Sequence, residues 1–89
     1  MDIKEFTANV KNPFKVEYTE KIRSEGYTMG LGVGFKGNNY SLEVRLQPLA
    51  GSPDPIPKDL FERIQNEILP GQYNGAIVNV VYVGVVRPR

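Results

Sequence analysis

The carboxylates between positions 54 and 67 have the greatest potential for acid–base or metal chemistry. They are Asp54, Asp59, Glu62 and Glu67. Glu62 follows Asp59 by three residues, so a helix would place both side chains on one face. A general acid–base pair or a Mg²⁺ site requires carboxylates clustered in this way. No second group of carboxylates completes such a site, and favourable helix-dipole charges explain these residues equally well. We therefore predict no metal and no cofactor.

Nucleophilic catalysis lacks its usual partners in this sequence. The 89 residues include no cysteine and no histidine, which excludes a thiolate nucleophile, a Ser-His-Asp triad and Cys or His metal ligands. Ser41 and Ser52 would need a strongly desolvated lysine, such as Lys36 or Lys58, as their base. We therefore expect a protein without enzymatic activity.

Length and charge indicate one small domain. A chain of 89 residues that is 40% hydrophobic and 24% charged is typical of a single globular domain. The net charge of +1 gives little long-range attraction to phosphates or anionic surfaces. There is no apolar run of about 18 residues and no basic-then-apolar N-terminus, so we expect a cytoplasmic protein that does not bind membranes.

Three alternating glycines, Gly30, Gly32 and Gly34, invite comparison with phosphate-binding loops. Such loops have the spacing G-x-G-x-x-G or G-x-x-x-x-G-K-[ST] at the start of a helix, and neither spacing is present. We favour a structural interpretation, in which a strand face almost without side chains lets the helix or another backbone approach closely.

A β-hairpin over residues 27–47 is the clearest predicted element. Apolar residues occupy every second position on both sides of a Gly-Asn turn, which is the pattern of two strands with one apolar face. Tyr27, Phe35 and Tyr40 fall on that apolar face. We therefore expect these aromatic residues in the core.

Three further segments follow the hairpin. Residues 48–57 are rich in proline and predict an extended loop. Residues 58–69 carry apolar side chains on one helical face and polar side chains on the other. Residues 76–87 are apolar on both faces and rich in β-branched side chains, which predicts a central or doubly covered strand.

Residues 1–26 fit a helix and a strand equally well. Ile3, Phe6 and Val10 have the spacing of one helical face, which Asn12-Pro13 is expected to interrupt. The whole pattern predicts an α+β domain. We expect a three- to four-stranded, mostly antiparallel sheet, built from the hairpin and the C-terminal strand, with one helix packed on a face.

Residues 76–87 have two apolar faces, of which the core needs one. The second apolar face is the strongest candidate for an interaction surface. We favour its burial by the N-terminal segment, with packing against another subunit or a partner as the alternative. With the hairpin edge, it defines a predicted interaction surface of Val81, Val83, Val85, Arg45 and Lys36. The chain would then be an interaction or regulatory module, with a protein partner or a second copy as its ligand.

Binding of single-stranded nucleic acid is the alternative function. Aromatic side chains near cations form stacking platforms for bases. The candidate contacts are Lys36, Tyr40, Arg45, Arg87 and Arg89. The small net charge and the expected core position of the aromatic residues make this function the second choice.

Three short segments carry a family resemblance. They are residues 30–36 (GLGVGFK), 40–46 (YSLEVRL) and 78–84 (VNVVYVG). Together they resemble a small bacterial module found beside trypsin-like peptidase domains, with the patterns V-G-V-G-x-G-x-K and V-x-V-x-x-x-G. The resemblance spans residues 27–86 and implies an accessory α+β module. It implies no catalytic residue, because the triad belongs to the peptidase domain, and the proline-rich loop departs from the family pattern.

Overall fold

Two helices and four strands make up the fold. The computed structural model of the chain describes residues 2–84, except for the side chain of Lys36. Helix α1 consists of an α-helical segment, a π-helical segment and a second α-helical segment: Ile3–Phe6, Thr7–Lys11 and Asn12–Arg23. Helix α2 consists of an α-helical and a π-helical segment: Lys58–Arg63 and Ile64–Ile68. The strands β1 to β4 are Tyr27–Lys36, Asn39–Pro48, Gln72–Tyr73 and Ala76–Tyr82.

Helix α1 settles the conformation of the N-terminal segment, which is helical from Ile3 onward. The Asp2 side chain accepts a hydrogen bond from the Glu5 amide at 2.8 Å and caps the first turn. Phe6, Val10 and Phe14 follow one another at four-residue intervals, and all three are buried. The strand interpretation of this segment is therefore wrong.

The helix continues through Asn12 and Pro13, where the sequence predicts an interruption. Pro13 has no amide hydrogen and cannot donate to the Asn9 carbonyl, as residue 13 of an α-helix would. The π-helical segment immediately precedes it, with the Asn12 amide donating to the Thr7 carbonyl. The side-chain amide of Asn74 donates to the Asn9 carbonyl at 2.7 Å. A donor from another element therefore takes the place of the missing proline amide.

The sheet is mixed, with the strand order β1-β2-β4-β3. The pairs β1–β2 and β3–β4 are antiparallel, and β2–β4 is parallel. A parallel neighbour requires a crossover, which α2 provides between β2 and β4. These elements confirm the predicted α+β class, the hairpin and the helix that follows it.

The C-terminal strand is shorter than predicted. Strand β4 ends at Tyr82, and the Val83 amide makes a further hydrogen bond to the Leu46 carbonyl at 3.0 Å. Gly84 then has a φ of +70°, which turns the chain away from the extended conformation. Residues 85–87 of the predicted strand lie outside the described residues.

The short strand β3 lies at residues where no strand was predicted. It joins β4 through Asn74 and Gly75, whose φ values of 49° and 86° fit the tight turn of a hairpin. No element was predicted between the helix of residues 58–69 and the strand of residues 76–87. Two residues are too few for an alternating pattern to appear, so the sequence carries no strand signal here.

Both helices pack on one face of the sheet and form a single core with it. The fully or largely buried apolar residues are Phe6, Val10, Phe14, Ile22, Tyr27, Leu42, Val44, Leu46, Ile64, Leu69, Ala76 and Val78. Phe35 was expected among them but is 71% exposed. Its ring centroid lies 4.7 Å from that of Tyr40, which in turn lies 5.4 Å from that of Phe6. Since Phe6 lies near the start of α1, the hairpin end with Phe35 extends beyond the helical layer.

Candidate interaction face

The candidate site is the sheet face opposite the helices, which we call the open face. Outward-pointing residues of β1, β2 and β4 form rows across it, since paired residues point to the same side. The rows are Gly34, Ser41 and Ile77; Gly32, Glu43 and Asn79; and Gly30, Arg45 and Val81. Val83, two residues after Val81, extends the β4 side.

Apolar side chains on the β4 side of the open face are exposed. Ile77, Val81 and Val83 retain 40%, 46% and 42% of their accessible surface. Their neighbours Ala76 and Val78 point to the other side and are buried in the core. The expectation that the N-terminal segment covers the second apolar face is therefore wrong, because α1 packs on the face that already holds the core.

An ion pair lies across the glycine stripe on the β1 side. Arg45 Nη2 is 3.0 Å from Glu43 Oε2. A Cβ atom on Gly32 would lie 3.0 Å from the Arg45 guanidinium, and one on Gly34 would lie 2.6 Å from Glu43 Oε1. Nothing lies within 4 Å of such an atom on Gly30. The glycines therefore make room for two charged side chains, and the expected close approach of a helix does not occur.

The structure brings together part of the predicted interaction surface. Arg45 is paired with Val81 across β2 and β4, and Val83 follows two residues later, just beyond the end of β4, where it is 42% exposed. Lys36 belongs to the far end of β1, where it pairs with Asn39. Arg45 pairs with Gly30, six residues away from Lys36 along β1, which corresponds to about 20 Å of strand. Val85 lies outside the described residues.

Of the predicted nucleic-acid contacts, Tyr40 and Arg45 lie on opposite faces of β2. Tyr40 belongs to the helix-covered side of β2 and packs against Phe6. Arg45 points to the open face. It lies five positions after Tyr40, and side chains an odd number of positions apart on a strand point to opposite faces. Arg87 and Arg89 lie outside the described residues.

Ile77 and Glu43 are members of the open face that the sequence analysis did not select. Ile77 lies four positions before Val81 on one strand, so both side chains point to the same face, and this spacing could have identified Ile77 from the sequence. Glu43 stands two residues before Arg45 in an alternating strand, a spacing that places both charges on one face. The sequence indicated the glycine stripe but not that these two charged side chains lie across it.

The candidate acid–base residues are dispersed. Asp54 accepts a hydrogen bond from the Tyr82 hydroxyl at 2.5 Å, whereas Asp59, Glu62 and Glu67 are exposed on α2. Within residues 2–84 no three acidic side chains approach closely enough to hold a metal ion. Partial burial, followed by the hydrogen bond to Asp54 and its charge, raises the pKa of Tyr82 to about 12. Asp54 thus helps to fasten the proline-rich loop to the sheet.

Cavities in the described part of the chain include one at the hairpin turns and one along β4. One, of about 150 Å³, lies among uncharged residues where the two hairpin turns meet α1: Phe6, Asn38, Asn39, Tyr40, Asn74, Gly75 and Ala76. The other, of about 420 Å³, runs along β4 beside Glu43 and Gln65. Ser41 and Ser52 line neither of these cavities, so neither pairs a serine with a base.

Comparisons of the chain with protein-family models, curated proteins and solved structures found no match. The resemblance to accessory modules of trypsin-like peptidases therefore stays a prediction. No helix in residues 2–84 combines the length and the apolarity that crossing a membrane requires.

Proposed function

We propose that this chain is a non-enzymatic interaction module that binds a protein through its open face. The observation that carries the proposal is the exposure of Ile77, Val81 and Val83 together on one side of the sheet. Adjacent aliphatic side chains that remain exposed in a folded domain are typical of surfaces that another protein covers. On the rest of this face the paired side chains of Glu43 and Arg45 lie across the glycine stripe, and Ser41 beside them is buried.

The charges of the open face favour a protein partner over nucleic acid. Arg45 lies in the middle of this face, and its charge is compensated by Glu43 at 3.0 Å. A carboxylate in this position would repel phosphates. The exposed side chains on β4 are aliphatic and offer no ring for base stacking.

Affinity capture with matched variants tests the proposal. Wild-type protein, Val81→Lys and Val16→Lys would be used as baits in lysate with and without nuclease treatment, with folding checked by circular dichroism. Val16 is 84% exposed on α1, so its replacement introduces the same lysine on the opposite layer. We expect a captured protein, or a second copy of the chain, that Val81→Lys loses and Val16→Lys retains.

Three outcomes would overturn the proposal. The first is that no protein is retained by the wild-type bait, and the second is that both variants retain it equally. The third is that nucleic acid is recovered and lost on nuclease treatment or at high salt, which would establish the alternative function.

A further inference from the structure

We infer that the partner is a second copy of this chain, packed open face to open face. The two-fold axis would lie between the two sheets, run perpendicular to the strands, and pass between the rows of Glu43 and Arg45. This inference rests on the proposed function and names the occupant of the same surface. Most homo-oligomers are closed by such an axis, and the surface must then be complementary to itself. The open face has this property.

Charge complementarity follows from the strand register. Glu43 and Arg45 occupy adjacent outward-facing rows of β2. A two-fold axis between these rows places Glu43 of each copy over Arg45 of the other. Glu43 and Arg45 of the two copies would thus form two intermolecular ion pairs, in which each acid faces a base.

The same axis brings two of the apolar side chains together and places Val81 opposite Asn79. It exchanges the two ends of β4, so that Ile77 of one copy approaches Val83 of the other. The exposed fractions of 40% and 42% at these two positions would then decrease. On β1 the axis places Gly30 of one copy opposite Gly32 of the other and Gly34 opposite Thr28, and the Arg45 and Glu43 side chains lie across Gly32 and Gly34.

The charges also select between the two possible orientations of the axis. An axis parallel to β2 would place Glu43 over Glu43 and Arg45 over Arg45. Like charges directly opposite one another are destabilising. Only the axis that crosses the strands pairs opposite charges, and this makes the orientation testable by charge reversal.

The size of the open face predicts a weak dimer. Strands about 4.8 Å apart with a rise of about 3.3 Å per residue give this face a flat area of roughly 400 Å² per copy. Stable interfaces bury about 800 Å² per partner. We therefore expect a dimer that dissociates on dilution through the micromolar range.

Sedimentation equilibrium over a concentration series tests the inference. We expect the wild-type mass to rise from the monomer value of 10.0 kDa towards twice that value. Arg45→Glu and Glu43→Arg should each weaken association about tenfold or more, because each places like charges opposite one another. An equimolar mixture of the two variants should associate as well as the wild type, because both intermolecular pairs are restored.

Matched controls are the charge reversals Lys15→Glu and Glu20→Arg, which change the net charge equally on exposed positions of α1. They should leave association unchanged. The inference is overturned if the wild-type protein stays monomeric up to millimolar concentration, or if the mixture associates no better than either variant alone. The proposed function survives that result when the capture experiment yields a different protein that depends on Val81, and fails when it yields none.

Discussion

The side-chain amide of Asn74 donates a hydrogen bond to the carbonyl oxygen of Asn9 at 2.7 Å. This contact joins the β3–β4 turn to α1 four residues before Pro13, whose ring nitrogen cannot donate to that carbonyl. Asn74 also has a positive φ of 49°, which asparagine tolerates better than most residues. One side chain thus serves both the turn of a hairpin and a long helix that contains proline.

Substitution of Asn74 separates these two roles. Asn74→Gly keeps the positive φ accessible and removes the amide, whereas Asn74→Ala removes the amide and strains the backbone. We expect Asn74→Ala to lower the free energy of unfolding by about 1 kcal/mol more than Asn74→Gly does. Urea denaturation of the three proteins measures the difference. Equal stabilities of the two variants would show that the turn is not restricted to a positive φ.

The contrast between Leu42 and Phe35 tests which part of the hairpin belongs to the core. Leu42 is fully buried, whereas Phe35 is 71% exposed. Leu42→Ala should cost about 3 kcal/mol of unfolding free energy, since it leaves a cavity in the core. Phe35→Ala should cost less than about 1 kcal/mol, the value of its contact with Tyr40. Similar losses in thermal or urea denaturation would place Phe35 in the core after all.

The glycine stripe predicts unequal effects of alanine along β1. A Cβ atom on Gly30 meets nothing within 4 Å, whereas one on Gly34 lies 2.6 Å from Glu43 Oε1 and 3.0 Å from Ser41 Oγ. Gly30→Ala should therefore leave stability unchanged or increase it slightly, because alanine loses less backbone entropy on folding. Gly34→Ala should be less stable than Gly30→Ala, and its Glu43 side chain should shift. The reverse order of midpoints in urea would contradict the arrangement of Glu43 over β1.

Tyr82 predicts a loss of stability in strong base. Its pKa of about 12 in the folded protein exceeds the value of about 10 expected in the unfolded chain. Between these values the folded state holds more protons than the unfolded state, so stability falls as the pH rises through this window. Below about pH 10 the tyrosine is protonated in both states and its contribution is fully present.

Tyr82→Phe provides the comparison for this pH dependence. The variant removes the ionisable hydroxyl and should show a shallower loss of stability above about pH 10 in urea denaturation at several pH values. Some slope should remain, because burial also raises the pKa of Tyr18 and Tyr27. Identical slopes for the variant and the wild type would show that Tyr82 does not contribute.

Local periodicity was sufficient to predict the hairpin, the second helix and the apolar character of β4. In these elements apolar residues recur at the regular spacing of a strand or a helix, and this spacing can be read from the sequence alone. The helix through Pro13 could not be predicted in the same way, because Asn74 is far from Asn9 in the sequence. The same holds for the parallel pairing of β2 with β4, which depends on the path of the crossover.

The open face was only partly predictable for a related reason. The sequence identified Val81, Val83 and Arg45, but it did not show which side of β4 the helices cover. Both faces of that strand are apolar. The alternation of apolar and polar residues therefore cannot show which face is covered. The position of α1, with Phe6 and Val10 directed to the Leu42 side of the sheet, decides which face stays exposed.

Photo-crosslinking at position 81 tests the central claim most directly. A photoreactive phenylalanine analogue would replace Val81 in one protein and Val16 in a matched control, and both would be irradiated in cells that produce the chain. If the open face binds a protein, position 81 should give a discrete adduct that position 16 does not give. A failure of position 81 to form any adduct, or the same adducts from both positions, would contradict the claim that this face is an interaction surface.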